Sequence, residues 1–281
     1  MQTILESPSK QVTIGPQSPF VIIGERINPT GRKALAAEIQ QGNLDRVIAD
    51  AQAQVAAGAE MLDVNAGVPG ADEAALLVQL VEIVQQTVEV PLSIDSSVVG
   101  ALEAALPVCQ GKPLVNSVTG EDERLEALLP LVRRHGAAVI GLAHDEAGPS
   151  MDPQERLRVA QKIVARAQDH GIAAADVIID PMAMTVGADP DSARITLETI
   201  RLIRQEMGNN LTLGASNISF GMPDRKVINA AFLALAMGAG LTSAIANPLA
   251  AGARPTVMAA DLLLARDPHG MAWIQEHRKQ Q

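Results

Sequence analysis

With 281 residues, 47% of them hydrophobic, the chain can bury a sizeable core, as one large barrel or as two small domains. A formal net charge of -10 with scattered Lys and Arg excludes the basic footprint of a nucleic-acid surface. No apolar stretch approaches the roughly 20 residues that span a bilayer, and Met1 to Gln17 has no signal-peptide apolar region, so no membrane contact and a cytoplasmic location are expected. The single cysteine, Cys109, excludes an intrachain disulfide, and its apolar surroundings point to a buried, inert thiol.

Strand-like and helix-like runs then alternate along the chain. Phe20-Val-Ile-Ile-Gly24 leads through a Gly/Pro/Thr loop to a helix near Leu44 to Ala57. Glu60 to Asn65 precedes a helix from Glu73 to Thr87, Pro91 to Asp95 one running to Cys109, and Pro113 to Asn116 one from Asp122 to His135. Ala137 to Leu142 is followed by Asp152 to His170, and Asp176 to Asp180 by Ser192 to Met207. Leu211 to Ala215 is followed by Lys226 to Met237, and Thr242 to Ala246 by Thr256 to Leu264.

Apolar strands with helical spacers pair in parallel and are buried on both faces, and eight such units close a (β/α)8 TIM barrel. The competing open sheet usually carries a Gly-rich dinucleotide loop after its first strand, and Gly24-Glu-Arg-Ile-Asn28 is not one. No linker or low-complexity tract divides the chain. A single domain over residues 1–281 is expected, with 1–18 a peripheral N-terminal extension and 266–281 a polar C-terminal tail.

The ends of the strands carry the chemistry. Glu25, Asp63 with Asn65, Asp95, Asn116, Asp180, Asn217 and Asn247 fall at or just after the carboxyl end of an apolar run. In a barrel those positions converge on one mouth. Each has a local alternative, since Asp and Asn also cap helices and make turns, and Asn217 and Ser219 are open to that explanation. Capping alone does not require carboxylates and amides at nearly every strand end. A mouth of amides and carboxylates with few cations suits a neutral polar heterocycle with donors and acceptors, and suits a bare phosphate poorly.

Absent chemistries narrow the choice. No lysine ends a strand, since Lys112 precedes one and Lys226 begins a helix, which disfavours a Schiff-base aldolase. There is no H-E-x-x-H, and Cys109 has no companion for a zinc-thiolate site, so no protein-bound metal is expected. His144-Asp145-Glu146 is the one place a ligand cluster could sit, against the alternative of a solvated loop.

Six motifs in order carry a resemblance. Ile23-Gly-Glu25-Arg26-Ile-Asn28, Leu62-Asp63-Val-Asn65, Ile94-Asp95-Ser96, Val115-Asn116-Ser117, Ile179-Asp180-Pro181 and Leu213-Gly-Ala-Ser216-Asn217-Ile-Ser219 resemble the methyltetrahydrofolate-dependent corrinoid methyltransferases. This is the pterin-binding barrel family that includes the folate domain of cobalamin-dependent methionine synthase. Dihydropteroate synthase shares the barrel, but its N-V-T-P-D-S-F and S-R-K segments are missing here.

The resemblance implies a reaction and roles. A methyl group passes between the N5 nitrogen of methyltetrahydrofolate and the cobalt of a corrinoid. The chain lacks the D-x-H-x-x-G pattern that binds cobalamin, so the corrinoid is expected on a separate partner protein. Asp95, Asn116 and Asp180 would hold the pterin, and Asn217 would polarise N5. Ser216 and Ser219 fall within the same seventh motif. Glu25, Asn28, Asp63 and Asn65 would prop the residues that touch the ring. Arg225 follows the family spacing and faces the partner or folate tail, or else is a surface arginine at a helix start. Phe220 matches the methionine-synthase type, and Asn247 stands where some relatives have Asp. A homodimer is implied as well. The alternatives are a dihydropteroate-synthase-like enzyme and a noncatalytic folate-binding barrel subunit.

Overall fold

The computed structural model describes residues 1–278. Two short strands, β1 (Thr3–Glu6) and β2 (Gln11–Ile14), form an antiparallel hairpin. Seven parallel strands follow: β3 (Val21–Ile27), β4 (Met61–Asn65), β5 (Leu92–Asp95), β6 (Leu114–Thr119), β7 (Ala138–Leu142), β8 (Val177–Asp180) and β9 (Ser243–Ala246). Their order is β8-β7-β6-β5-β4-β3-β9, so neighbours in sequence are neighbours in space until β9 returns to β3.

The expected seventh strand is thinner than its neighbours. Residues 211–214 bridge β8 through Ile179 and Leu211, and bridge β9 through Gly214 and Ile245. Thr212 N–H donates to Ile179 O (3.0 Å), and Ile245 N–H donates to Leu213 O (2.9 Å), which closes the barrel. Its pairing is limited to one bridge with each neighbour, and at its start a side chain takes a backbone donor. Leu211 N–H donates to the Thr242 hydroxyl (2.9 Å), and that hydroxyl donates back to Leu211 O (3.0 Å).

Helices clothe the barrel at nearly the predicted positions: α2 (Asp45–Ala56), α3 (Glu73–Thr87), α4 (Val99–Ala105), α5 (Asp122–Arg134), α6 (Pro153–Asp169), α7 (Ser192–Glu206), α8 (Arg225–Ala239) and α9 (Ala253–Leu263). An additional helix, α1 (Lys33–Gln40), lies in the first loop. Alternation along each strand separates two cores. Leu62, Val64, Ile94, Val115, Val139 and Ile179 pack outward beneath the helices. Val21, Ile23, Met61, Leu114, Ile140 and Ile178 pack inward as a second cluster.

The N-terminal stretch, expected to be peripheral, completes that inner cluster. Leu5, Val12 and Ile14 are buried within it, so the hairpin plugs the barrel from below. Asn210 ties it down by donating to Thr3 Oγ1 (3.0 Å) and Ile14 O (2.8 Å). Glu6 and Lys112 exchange backbone hydrogen bonds of 3.1 and 2.9 Å. Gly111 permits this approach, because a Cβ there would lie 2.1 Å from Glu6 O. The C-terminal segment also differs from a free polar tail. Arg266 is buried, Asp267 accepts from Ala272 and Trp273 N–H (both 3.0 Å), and α10 (Met271–Arg278) follows. Residues 279–281 of the predicted tail lie outside the described residues.

The plug makes a direct prediction. Leu5→Ala leaves a cavity in a closed interior and is expected to cost about 2–5 kcal/mol, read as a lower urea midpoint with an unchanged slope.

Candidate active site

The inward positions that are apolar at the base of the barrel become polar toward its mouth. On β3, Val21 and Ile23 give way to Glu25; on β4, Met61 gives way to Asp63 and Asn65; on β8, Ile178 gives way to Asp180. Ser93 and Asp95 hold the inward positions of β5. Register aligns Asn65 with Asp95 and Asp95 with Asn116, so three adjacent strands present one row of polar groups. The Asn116–Ser117 peptide is cis, and the β6–β7 register shifts between Asn116 and Val118.

This row is bonded internally. Asn65 Nδ2 donates to Asp95 Oδ2 (3.0 Å), and its Oδ1 accepts from Gly67 N–H (2.8 Å). Asn116 Nδ2 donates to Asp63 Oδ1 (3.1 Å). Burial, then the neighbouring Asp63 carboxylate, pushes Asp95 up to about 8. Burial also raises Asp63, against hydrogen bonds that include those from Asn116 and Asp95. Both carboxyls are thus pushed toward their protonated forms, Asp95 by the added charge of Asp63 as well as by burial.

Asp180 lies across the mouth. Burial pushes it up to about 7, opposed by the Met182 N–H on Oδ1 (2.7 Å) and by the Arg156 charge. Glu25, also raised by burial, accepts from Ser216 Oγ (3.0 Å) and so links β3 to the seventh loop.

Beyond Gly214 the chain makes a 3-10 turn over Ala215–Ser219 that leaves Asn217 exposed at the rim. The Asn217 side chain folds back over Gly214, where a Cβ would stand 2.9 Å from its Nδ2. Arg225 braces this loop. It donates to Ser219 Oγ (3.0 Å) and Ser216 O (2.8 Å), with its guanidinium 4.5 Å from the Phe220 ring centre.

Two strand-end amides make local turns. Asn28 Oδ1 accepts from Thr30 N–H (2.9 Å), and Asn247 Oδ1 from Leu249 N–H (3.1 Å). Among the described residues the strand-end carboxyls do not cap helices. Side-chain caps instead come from Asp72, before α3, and Asp152, before α6. In the fifth loop Asp145 pairs with Arg158 (2.9 Å), and Glu146 accepts from Asp122 N–H (2.9 Å) at the start of α5. Burial pushes the Cys109 thiol up to about 12, consistent with an unreactive sulfur. The sequence reading missed Ser93 and Arg156, both fully buried near the site. Arg156 was detectable as a charge on the apolar face of α6, in line with Ala160, Ile163 and Ala167.

The chain is similar to several known proteins. The family model described as pterin binding enzyme matches residues 24–247. The methylcorrinoid:tetrahydrofolate methyltransferase of Eubacterium limosum is 34% identical over 256 residues, covering 88% of this chain and 92% of that one. The methionine synthase of Mycobacterium tuberculosis is 33% identical over 244 residues, covering 81% of this chain and 20% of that one. The crystal structure of dihydropteroate synthase from Xanthomonas albilineans with 7,8-dihydropteroate superposes with a TM-score of 0.69 at 18% identity, covering 93% of this chain and 99% of that one. That last likeness concerns the fold.

The carboxyl pair sets a pH dependence. Asp95 keeps its proton to about pH 8 when folded, against a reference value of 3.8, so between those values the native state binds more protons than the unfolded chain. Stability of the ligand-free protein must fall as pH rises through this window and level off above it. Asp95→Asn removes that part of the slope. Urea unfolding at about pH 5 and about pH 8.5 is expected to show the variant gaining on the parent at the higher value.

Proposed function

Because the chain belongs to the pterin-binding enzyme family, we propose that it transfers a methyl group between N5 of methyltetrahydrofolate and the cobalt of a corrinoid carried by a separate protein. The observation that carries this reading is the row of enclosed amides and carboxyls at the barrel mouth, in a chain 34% identical along most of its length to a methylcorrinoid:tetrahydrofolate methyltransferase. A homodimer and a cytoplasmic location belong to the same reading.

The residues divide the work by depth. A pterin offers a donor edge in its ring amide and exocyclic amine, and the ionised Asp180 accepts there in a paired fashion. Asp95 and Asn116, held by Asn65 and Asp63, face the remaining donors and acceptors of the ring. Glu25, Ser216, Ser219 and Arg225 set the shape of the seventh loop. Asn28 sets the turn of the first loop.

Asn217, at the rim, works on the reacting centre. In the folate-to-cobalt direction, the N5–CH3 bond breaks as the electron pair of the reduced cobalt forms the Co–CH3 bond. The bonding pair left on N5 takes up a proton. An amine anion is a poor leaving group, so a donor whose bond to N5 strengthens in the transition state lowers the barrier. The Asn217 amide is such a donor, but it is not an acid near neutral pH, so the proton comes from solvent or a carboxyl network. The reverse direction uses the same contacts.

The direct test mixes the protein with methyltetrahydrofolate and reduced cobalamin and follows the methyl-cobalt spectrum. Asn217→Ala is expected to keep most folate affinity and lose transfer by about 10- to 1000-fold. Unchanged transfer in the folded variant would remove Asn217 from the reacting centre, and no transfer by the parent would favour a noncatalytic folate-binding barrel. Folate affinity, read by calorimetry, is expected to weaken as pH falls through about 7 and Asp180 gains its proton.

A further inference from the structure

Arg156 is an arginine with no exposed surface, placed in the first turns of α6 beneath the loop that follows Asp180. Enclosing a guanidinium is expensive unless its donors are met. Nε donates to Ser150 O (2.6 Å), while Nη1 donates to Pro181 O (2.8 Å) and Met182 O (2.7 Å). Nη2 is buried without a hydrogen-bond partner. Among the described residues no carboxylate pairs with the group at contact distance, so an ion pair there does not explain its charge.

The carbonyls it binds belong to an unusual turn. Met182 is a non-glycine residue with φ 67°, a left-handed conformation that needs support from its surroundings. Its N–H donates to Asp180 Oδ1 (2.7 Å), and its carbonyl is held by both Arg156 and the Thr196 hydroxyl (3.0 Å). Among the described residues, Arg156 is the cation that opposes the effect of burial on Asp180, and Asp180 is the carboxylate that opposes the effect of burial on Arg156.

We infer that Arg156 is the positioning residue of Asp180: one enclosed guanidinium clamps the Ser150 and Pro181–Met182 backbones, which fixes the Met182 N–H on one carboxyl oxygen. The inference rests on the proposed reading only in taking Asp180 as a pterin ligand; the link between Arg156 and Asp180 stands apart from it. The guanidinium acts in two separable ways. Its charge favours the carboxylate, and its planar fork holds the turn.

Carbon-detected NMR titration of the Asp180 carboxyl in ligand-free protein, assigned with Asp180→Asn, is run alongside calorimetric folate affinity across pH. Arg156→Gln is expected to move the Asp180 titration upward and to weaken folate binding at neutral pH. The part of the loss that follows the titration should be about tenfold for each unit of movement and should recover as pH is raised, while the part that comes from the lost clamp should remain. Arg156→Lys keeps the charge but cannot reach the three carbonyls together. It should leave the titration near its parental position and lower affinity without recovery at high pH.

A folded Arg156→Gln protein whose Asp180 titrates as in the parent overturns the inference. If Arg156→Gln does not fold, Arg156→Lys decides, and parental folate affinity in that variant overturns it. A moved Asp180 titration with unchanged folate affinity supports the link between the two residues and overturns the reading of Asp180 as a pterin ligand.

Discussion

Withholding water from carboxyl groups is the constraint on which the rest of this molecule turns. The barrel interior is filled from below by Leu5, Val12 and Ile14 and sealed by inward aliphatic residues, so the polar groups above them rest on a dry floor. Charged forms are disfavoured there, and Asp63, Asp95 and Asp180 all shift upward chiefly through burial. The barrel answers with hydrogen bonds rather than with cations at contact distance. Amides from Asn65 and Asn116 reach the carboxyl pair, and a backbone N–H reaches Asp180. A site of this kind has a fixed pattern of donors and acceptors with little net field, which matches a flat neutral ring better than an anion.

The most sparsely paired part of the barrel is also where the mouth gains its most exposed amide. Residues 211–214 make one bridge to each neighbour, and the Thr242 hydroxyl takes the Leu211 N–H. After Gly214 the chain turns tightly instead of running on as a strand, and Asn217 stands at the rim. Ser216 to Glu25 and Arg225 to Ser219 then fix the turn from two sides. A longer seventh strand would have placed the same residues in ladder geometry, facing alternately inward and outward.

Much of this was legible in the sequence, for a physical reason. Strands buried on both faces must be apolar, so the polar residue at the end of each run, as at Asp95 and Asp180, stood out, and its parity placed it inward. The hairpin was harder to see, because its strands have four residues each and the polar Gln and Thr around Val12 and Ile14 resemble a solvated arm. Only contact with distant residues such as Asn210 reveals it as a plug. Asn247 followed the strand-end pattern and Asn28 came from the first motif, yet both make local turns, which spacing cannot distinguish from a ligand-facing amide. Arg156 lies on a helix and away from the strand ends, and its only sequence signal is a charge aligned with Ala160 and Ile163 that breaks the apolar stripe of α6.

The depth at which each group sits bears on how a reaction would be divided between two proteins. On the proposed reading, the carboxyls and amides low in the mouth are shielded from a docking partner, so they bind the ring with constant strength throughout the reaction. Uniform binding of that sort orients the ring but does not lower the chemical barrier. The group that changes its interaction must lie where the methyl leaves, and the methyl must point out of the barrel to meet a metal held by another protein. Asn217 is exposed at that level, while Asp63 and Asp180 are buried below it. A carboxylate at the rim would oppose the negative charge developing on nitrogen. A lysine there would add positive charge that persists before and after transfer. A neutral amide supplies a donor without fixing a charge, which serves a step that must run in both directions.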